Sequence, residues 1–186
     1  MSALTIYEEL GAQPVSTVTD LESIVRELQG IGVRFERWAA DRELDELTTQ
    51  DEVIDAYNEQ VDRLMQEYGF ETVDVVSVRP DHPDRESLRK KFLDEHTHAD
   101  YEVRFFVDGQ GLFYLRAGDR VYAVLCEKGD LISVPANTRH WFDMGEHPSF
   151  KCIRLFTTPD GWVADFTGSD IARQLPDFDQ FVANYG

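Results

Sequence analysis

The sequence predicts a mainly β protein, in which antiparallel strands build a barrel or sandwich and α/β elements decorate it. From Phe92 to about Phe166, short apolar runs alternate with Asp-Gly, Ala-Gly-Asp and Lys-Gly-Asp turns, the pattern of closely connected antiparallel strands. Ahead of that region, helical and strand periodicities alternate. The 186-residue chain is 42% hydrophobic and 12% aromatic, as ordinary globular proteins are, and a chain of this length buries roughly 70% of its unfolded surface without disulfide staples.

Leu4 to Glu9 predicts a short strand. Thr19 or Asp20 caps a helix whose apolar residues Leu21, Ile24, Val25 and Leu28 recur at helical spacing, and Gly30 and Gly32 end it. Val33 to Trp38 and Thr72 to Val78 are rich in β-branched and aromatic residues, as strands are. Between them a second helix starts near Thr49 and ends at Gly69, with Val53, Ala56, Tyr57, Val61, Leu64 and Met65 along one face. A short basic helix over Arg85 to Lys91 follows the acidic, proline-containing stretch Pro80 to Asp84. The barrel strands are then Tyr101 to Val107, Gly111 to Arg116, Arg120 to Leu125, Leu131 to Val134 and Phe150 to Phe156. Gly109-Gln110-Gly111 reads as a hairpin turn between the first two, and not as a phosphate loop, because no helix follows it. A last helix spans about Ser169 to Asn184, interrupted at Pro176. A single domain holds all of this: residues 1–91 as mixed decoration and first strands, 92–166 as the barrel core, and 167–186 as a helical tail.

Charge narrows the possible partners. With 18 Lys+Arg against 36 Asp+Glu the net charge is -18, which disfavours nucleic acid and anionic membrane surfaces. The acidic run Asp41 to Glu46 reads as a solvated face. No apolar run reaches the length of a bilayer span, and residues 1–12 lack the basic and apolar regions of a secretory signal, so the expected location is the cytoplasm. Strong like charge and no obvious apolar seam predict a monomer. Cys126 and Cys152 are too few for a disulfide scaffold and are expected to stay reduced, packed in strands.

The chemistry concentrates in Glu95-His96-Thr97-His98-Ala99-Asp100-Tyr101-Glu102. On a strand, residues of equal parity face the same way, so His96, His98, Glu102 and Arg104 share one wall unless a bulge intervenes. A lone His-x-His pair is otherwise a half-exposed surface feature. His140, after the turn Pro135 to Arg139, can add a further ligand from a neighbouring strand. Neutral nitrogen and anionic oxygen donors on one face suit an octahedral divalent metal such as Fe, Ni, Co or Mn and leave two adjacent positions for a chelating substrate. Zinc is less suited, because its closed structural sites commonly use cysteine and neither cysteine lies near the histidines in sequence. His82 and His147 lack matching partners and read as loop and turn residues.

His96-x-His98-x(3)-Glu102-x(6)-Gly109 matches the first cupin motif, and Gly129-x(5)-Pro135-x-Asn137-x(2)-His140 resembles the second. Asn137 stands where cupins usually carry glycine, and asparagine tolerates the left-handed backbone of such a turn. Within cupins the chain resembles the acireductone dioxygenases of methionine salvage. The resemblance is carried by Asp100-Tyr101-Glu102-Val103-Arg104, Gly129-Asp130-Leu131-Ile132, Pro135-Ala136 through His140, and Ile153-Arg154-Leu155-Phe156.

That resemblance implies a cupin barrel with peripheral helices, one Fe(II) or Ni(II) per chain, and His96, His98, Glu102 and His140 as ligands. It implies O2-dependent cleavage of 1,2-dihydroxy-3-keto-5-methylthiopentene. The products would be formate and 4-methylthio-2-oxobutanoate with iron, and formate, CO and 3-methylthiopropanoate with nickel. Arg104 would stabilise the substrate dianion, although a salt bridge in an acidic protein also explains it. Arg154 would hold substrate or a ligand carboxylate. Phe92, Phe142 and Trp162 would line a methylthio pocket, although core packing accounts for an aromatic equally well. Glu95 would assist metal incorporation and Tyr101 would relay conformational change, while by physics alone either is ordinary surface. The competing expectations are another metal cupin dioxygenase or isomerase, and a non-catalytic cupin that binds a small ligand.

Overall fold

In the computed structural model, which describes residues 1–11 and 13–185, one β-strand belongs to two sheets and thereby organises the molecule. Gly186, at the end of the predicted tail, lies outside the described residues. The strands are β1 (Ala3–Glu8), β2 (Pro14–Val18), β3 (Arg34–Arg37), β4 (Thr72–Val78), β5 (His96–Thr97), β6 (Glu102–Ala117), β7 (Arg120–Glu127), β8 (Asp130–Val134), β9 (Arg139–Asp143), β10 (Phe150–Phe156) and β11 (Asp165–Phe166). The helices are α1 (Leu21–Gln29), α2 (Gln50–Ala56), α3 (Asn58–Tyr68), α4 (Arg85–Leu93) and α5 (Phe178–Ala183). One sheet runs β11-β5-β9-β6-β7-β1-β2; the other runs β4-β10-β6-β8-β3. The sheets share β6 and do not close into a full barrel. The predicted mainly β architecture with helical decoration is therefore present.

The hairpin expected at Gly109 is absent, and this corrects the sequence reading. β6 runs straight through: Val103 to Phe106 and Asp108-Gly109 pair with β10, whereas Gln110 to Ala117 pair with β7. The register on β10 slips between Lys151 and Cys152, so the strand bends at a bulge and passes from one sheet to the other. Gly109 serves that corner with φ 70°, and a Cβ there would sit 1.9 Å from the Ser149 carbonyl oxygen. Gly109→Ala is accordingly expected to cost about 2–3 kcal/mol, read as a lowered denaturation midpoint at unchanged m-value.

The helix predicted from Thr49 to Gly69 is also two helices. Thr49 and Glu52 form a capping box at the start of α2, and Gly69 closes α3 with φ 67°. They meet at Tyr57, where the backbone leaves the helical region at φ -117°, ψ 28°. The break lets the buried Tyr57 ring stand edge-on to Phe105 at 5.4 Å while its hydroxyl accepts the Arg42 N–H. Strand β2 escaped the sequence reading because its residues are exposed and its Pro-Val-Ser-Thr-Val run lacks the usual alternation. The C-terminal helix splits as Pro176 requires, into a short 3-10 turn at Ile171–Arg173 and the Asp177-capped α5.

Three apolar layers fix which way β6 points its side chains. Between the sheets, Leu4, Ile6, Phe106, Phe113, Val124, Phe142, Phe150 and Cys152 form one buried cluster. Behind the second sheet, Val103, Phe105, Leu131, Ile153 and Leu155 pack against Val53, Tyr57, Val61 and Leu64 of α2 and α3. Behind the first, Leu112, Tyr114 and Trp141 are covered by Ile171, Leu175 and Phe181. Because Val103 and Phe105 face the helices, Glu102 and Arg104 must face the interior between the sheets. Both cysteines are free and buried, on β7 and β10, as expected. No helix among the described residues is long and apolar enough to cross a membrane.

Candidate metal centre

His96 and His140 are directly paired residues of β5 and β9, which puts their side chains on one face. His98 lies just past β5 and Glu102 opens β6, so the strand breaks between them. The four side chains meet nonetheless. Ring centroids are 4.5 Å apart for His96–His140, 5.0 Å for His96–His98 and 5.1 Å for His98–His140, and one nitrogen from each ring lies within 4.8 Å of the others. All four residues are buried.

Each imidazole is held by its other nitrogen. Nδ1 of His96 binds the Asp94 carbonyl at 2.7 Å, Nδ1 of His98 the Val163 carbonyl at 2.9 Å and Nδ1 of His140 the Thr138 carbonyl at 2.7 Å. A carbonyl only accepts, so each Nδ1 must carry the proton and each Nε2 presents a lone pair when the ring is neutral. Yet Glu102 Oε2 stands 3.0 Å from His98 Nε2 and 3.2 Å from His140 Nε2. Lone pairs of neutral rings then confront a carboxylate oxygen across hydrogen-bond distances, which is unfavourable unless a positive charge lies between them. A divalent cation meets that need, and the residues present fit one.

Ionisation behaviour follows the same geometry. Burial, aided by His140, lowers the pKa of His96 to about 4 and keeps the ring neutral. For His98 burial acts in the same direction, but the hydrogen bond and charge of Glu102 outweigh it and the pKa is raised. Burial opposes the charge of Glu102 as well; Arg104 and the two imidazoles overcome it and hold the carboxyl well below its usual range. Arg104 Nε donates to Glu102 Oε1 at 2.5 Å, while its buried Nη1 has no partner.

A cavity of about 440 Å³ opens beside these groups, lined by His96, His98, Glu102, Arg104 and Arg154, with Phe92 and Trp162 on its apolar side. Phe142 does not line it; its buried ring lies under the Arg104 guanidinium at 4.6 Å, where it supports the cation. Glu95 points away from His96, as alternation dictates, and accepts from Arg116 Nη1 at 3.1 Å and Thr167 Oγ1 at 2.7 Å. Its environment is a buried ion pair. Tyr101 is half exposed, 6.0 Å from the Tyr68 ring, and lines no part of the cavity.

The ARD/ARD' family model matches residues 3–164. A curated acireductone dioxygenase of Methylococcus capsulatus is 56% identical over 185 residues, covering 100% of both chains. The chain belongs to the acireductone dioxygenase family. A second acireductone dioxygenase, from Aquifex aeolicus, is 55% identical over 98% of this chain and 99% of its own. A solved acireductone dioxygenase of Bacillus anthracis, with a cadmium ion in its active center, superposes at a TM-score of 0.78 with 28% identity, covering 89% of this chain and 98% of that one. Acireductone dioxygenases are metal-dependent, and in this member the three-histidine cluster is the group of side chains suited to the ion. Sequence reasoning missed several participants at the site, among them Phe166, whose ring lies 5.7 Å from that of His96. Lys91 lines the cavity from α4, one residue before Phe92, and the Val163 carbonyl orients His98. A backbone acceptor leaves no trace in residue type, so no sequence signal could have found it.

Proposed function

We propose that this chain cleaves 1,2-dihydroxy-3-keto-5-methylthiopentene with O2 in methionine salvage, using one Fe(II) or Ni(II) held by His96, His98, Glu102 and His140. One observation carries the reading: three tautomer-fixed imidazoles face a carboxylate beside a buried guanidinium whose Nη1 lacks a partner. Family membership supplies the substrate class. A bound metal would supply a Lewis acid and redox partner for the enediol and O2.

The rest is performed by side chains. Arg104, pinned by Glu102 at Nε and walled by the rings of Phe92, Phe113 and Phe142, turns Nη1 toward an enediolate oxygen and stabilises its charge at no cost of reorganisation. Arg154 adds a second positive charge on the cavity wall. Phe92 and Trp162 offer apolar surface to the methylthio end. Phe142 acts through Arg104. The reading carries with it a cytoplasmic monomer, checked by sedimentation equilibrium of the metal-loaded chain.

The test is anaerobic reconstitution of metal-free protein with Fe(II) and, separately, Ni(II), then addition of acireductone and O2. Keto acid with formate from the iron form, and CO with formate from the nickel form, establish the reaction. Tight metal binding without turnover in either form refutes it.

Metal uptake should also depend on pH. All three imidazoles must be neutral to ligate, and in the metal-free chain Glu102 keeps a proton on His98 to higher pH than an ordinary histidine would hold it. The proton and the ion compete, so affinity falls as pH falls. Calorimetric titration with Ni(II) should show about tenfold weaker binding per pH unit on the acid side of that pKa, with about one proton released. An affinity that stays flat between about pH 5 and 8 contradicts this competition.

A further inference from the structure

A single row of paired residues runs out from the floor of the cavity. Asp74 on β4 is paired with Arg154 on β10, and Arg154 is paired with Arg104 on β6. Residues directly opposed in a sheet point to the same face, so all three share the side on which Arg104 and Arg154 line the cavity. The next row inward is Val76, Cys152 and Phe106, which belongs to the apolar core. The charged row thus lies on the boundary between core and cavity.

Two guanidiniums as direct cross-strand neighbours repel each other, the more so where water is scarce. Each has its own carboxylate. Glu102 takes Nε of Arg104, and Asp74 takes Arg154 on two atoms, Nε at 2.9 Å and Nη2 at 2.6 Å. The bidentate grip commits one edge of the Arg154 fork and leaves Nη1 over. The guanidinium also rests on the Phe156 ring at 5.4 Å. Arg154 lines the cavity, whereas Asp74 does not.

We infer that Asp74 is a positioning residue for substrate binding: it fixes the Arg154 guanidinium against the like charge of Arg104, so that both arginines present their uncommitted Nη1 groups to one anionic enediolate. The inference rests on the proposed function, and it adds a residue that never touches the substrate. Without the aspartate, Arg154 turns away from Arg104 and toward solvent, and the cavity loses one of its two fixed cations.

The experiment compares Asp74→Asn, Asp74→Glu, Arg154→Met and the double variant Asp74→Asn/Arg154→Met, all loaded with the same metal. Asp74→Asn is expected to raise KM, and the anaerobic Kd for acireductone, about tenfold while kcat stays within about twofold of the parent. Asp74→Glu should recover part of the loss, and the double variant should bind no worse than Arg154→Met alone. In nitrogen-15 spectra, the Arg154 Nε–H signal should exchange slowly in the parent and in Asp74→Glu but not in Asp74→Asn. A lowered melting temperature with KM and the Nε–H signal unchanged would show a purely structural ion pair and overturn the inference. So would additive losses in the double variant, or an Arg154→Met enzyme with the parent KM. Failure of the parent to turn over acireductone refutes the proposed reaction, and the Nε–H signal then still decides whether Asp74 positions Arg154.

Discussion

Replacing His96 by alanine leaves a folded chain that no longer holds its metal. His96 is buried and stays neutral, with a pKa of about 4, so its loss strands no charge. What is lost is one of three converging nitrogens, and with it at least two orders of magnitude in metal affinity, since even removal of a ligand's supporting partner costs 10–100-fold. Metal analysis after Ni(II) reconstitution and gel filtration should find the variant nearly empty, with far-ultraviolet dichroism like the parent's. A variant that retains stoichiometric nickel would remove His96 from the centre. Glu102→Ala would be a poorer test, because it frees the buried Arg104 from its carboxylate and so unsettles the fold itself.

Arg104→Met is expected to separate binding of metal from chemistry. The flexible methionine fits among Phe92, Phe113 and Phe142, but the enediolate then loses the cation beside the metal ligands and keeps only Arg154, so kcat/KM should fall by about 10²–10³ with metal content kept. Stability responds in a linked way. In the metal-free variant the buried Glu102 carboxylate has lost its guanidinium, a loss of about 3–5 kcal/mol. A bound divalent cation compensates that carboxylate, so metal should raise the melting temperature more in the variant than in the parent. Equal increments in the two proteins would show that Arg104 and the metal do not share Glu102.

The parts of the molecule that were legible in the sequence are those written in residue type and local period. Asp20 caps α1 through the Ser23 N–H, Thr49 and Glu52 open α2, and β4 occupies the predicted Thr72 to Val78. His96, His98, Glu102 and Arg104 stand around one cavity, as their shared parity indicated, with His140 clustered against the other two histidines, and Arg154, which the family resemblance placed there, lines the same cavity; Asn137 takes the left-handed φ of 63° that its replacement of glycine implied. Long-range pairing was not legible. Asp108-Gly109 has the composition of a turn, and only the register against β10 and β7 makes it a corner inside one strand. The grouping of Phe142 with the substrate aromatics failed for a similar reason: residue type says aromatic, but tertiary packing decides whether a ring faces the ligand or the cation beneath it. Asp74 looked like an ordinary strand residue because its partner lies 80 positions away.

Strand β6 also bears on how the chain folds. Its two halves must each find separate partners, and its N-terminal half pairs with β8 and with β10, both of which lie farther along the sequence. The same is true of β1, whose Thr5 pairs with Ala123. Such non-local closure is entropically slow, so the fold assembles on the long side of the range for a domain of this size. The histidine cluster exists only after β5 has met β9, which makes the ability to capture an ion a late acquisition of the folding chain. Newly made protein would pass through a fully polymerised but metal-blind stage, and the identity of its ion would be decided by what the surroundings offer once folding is over.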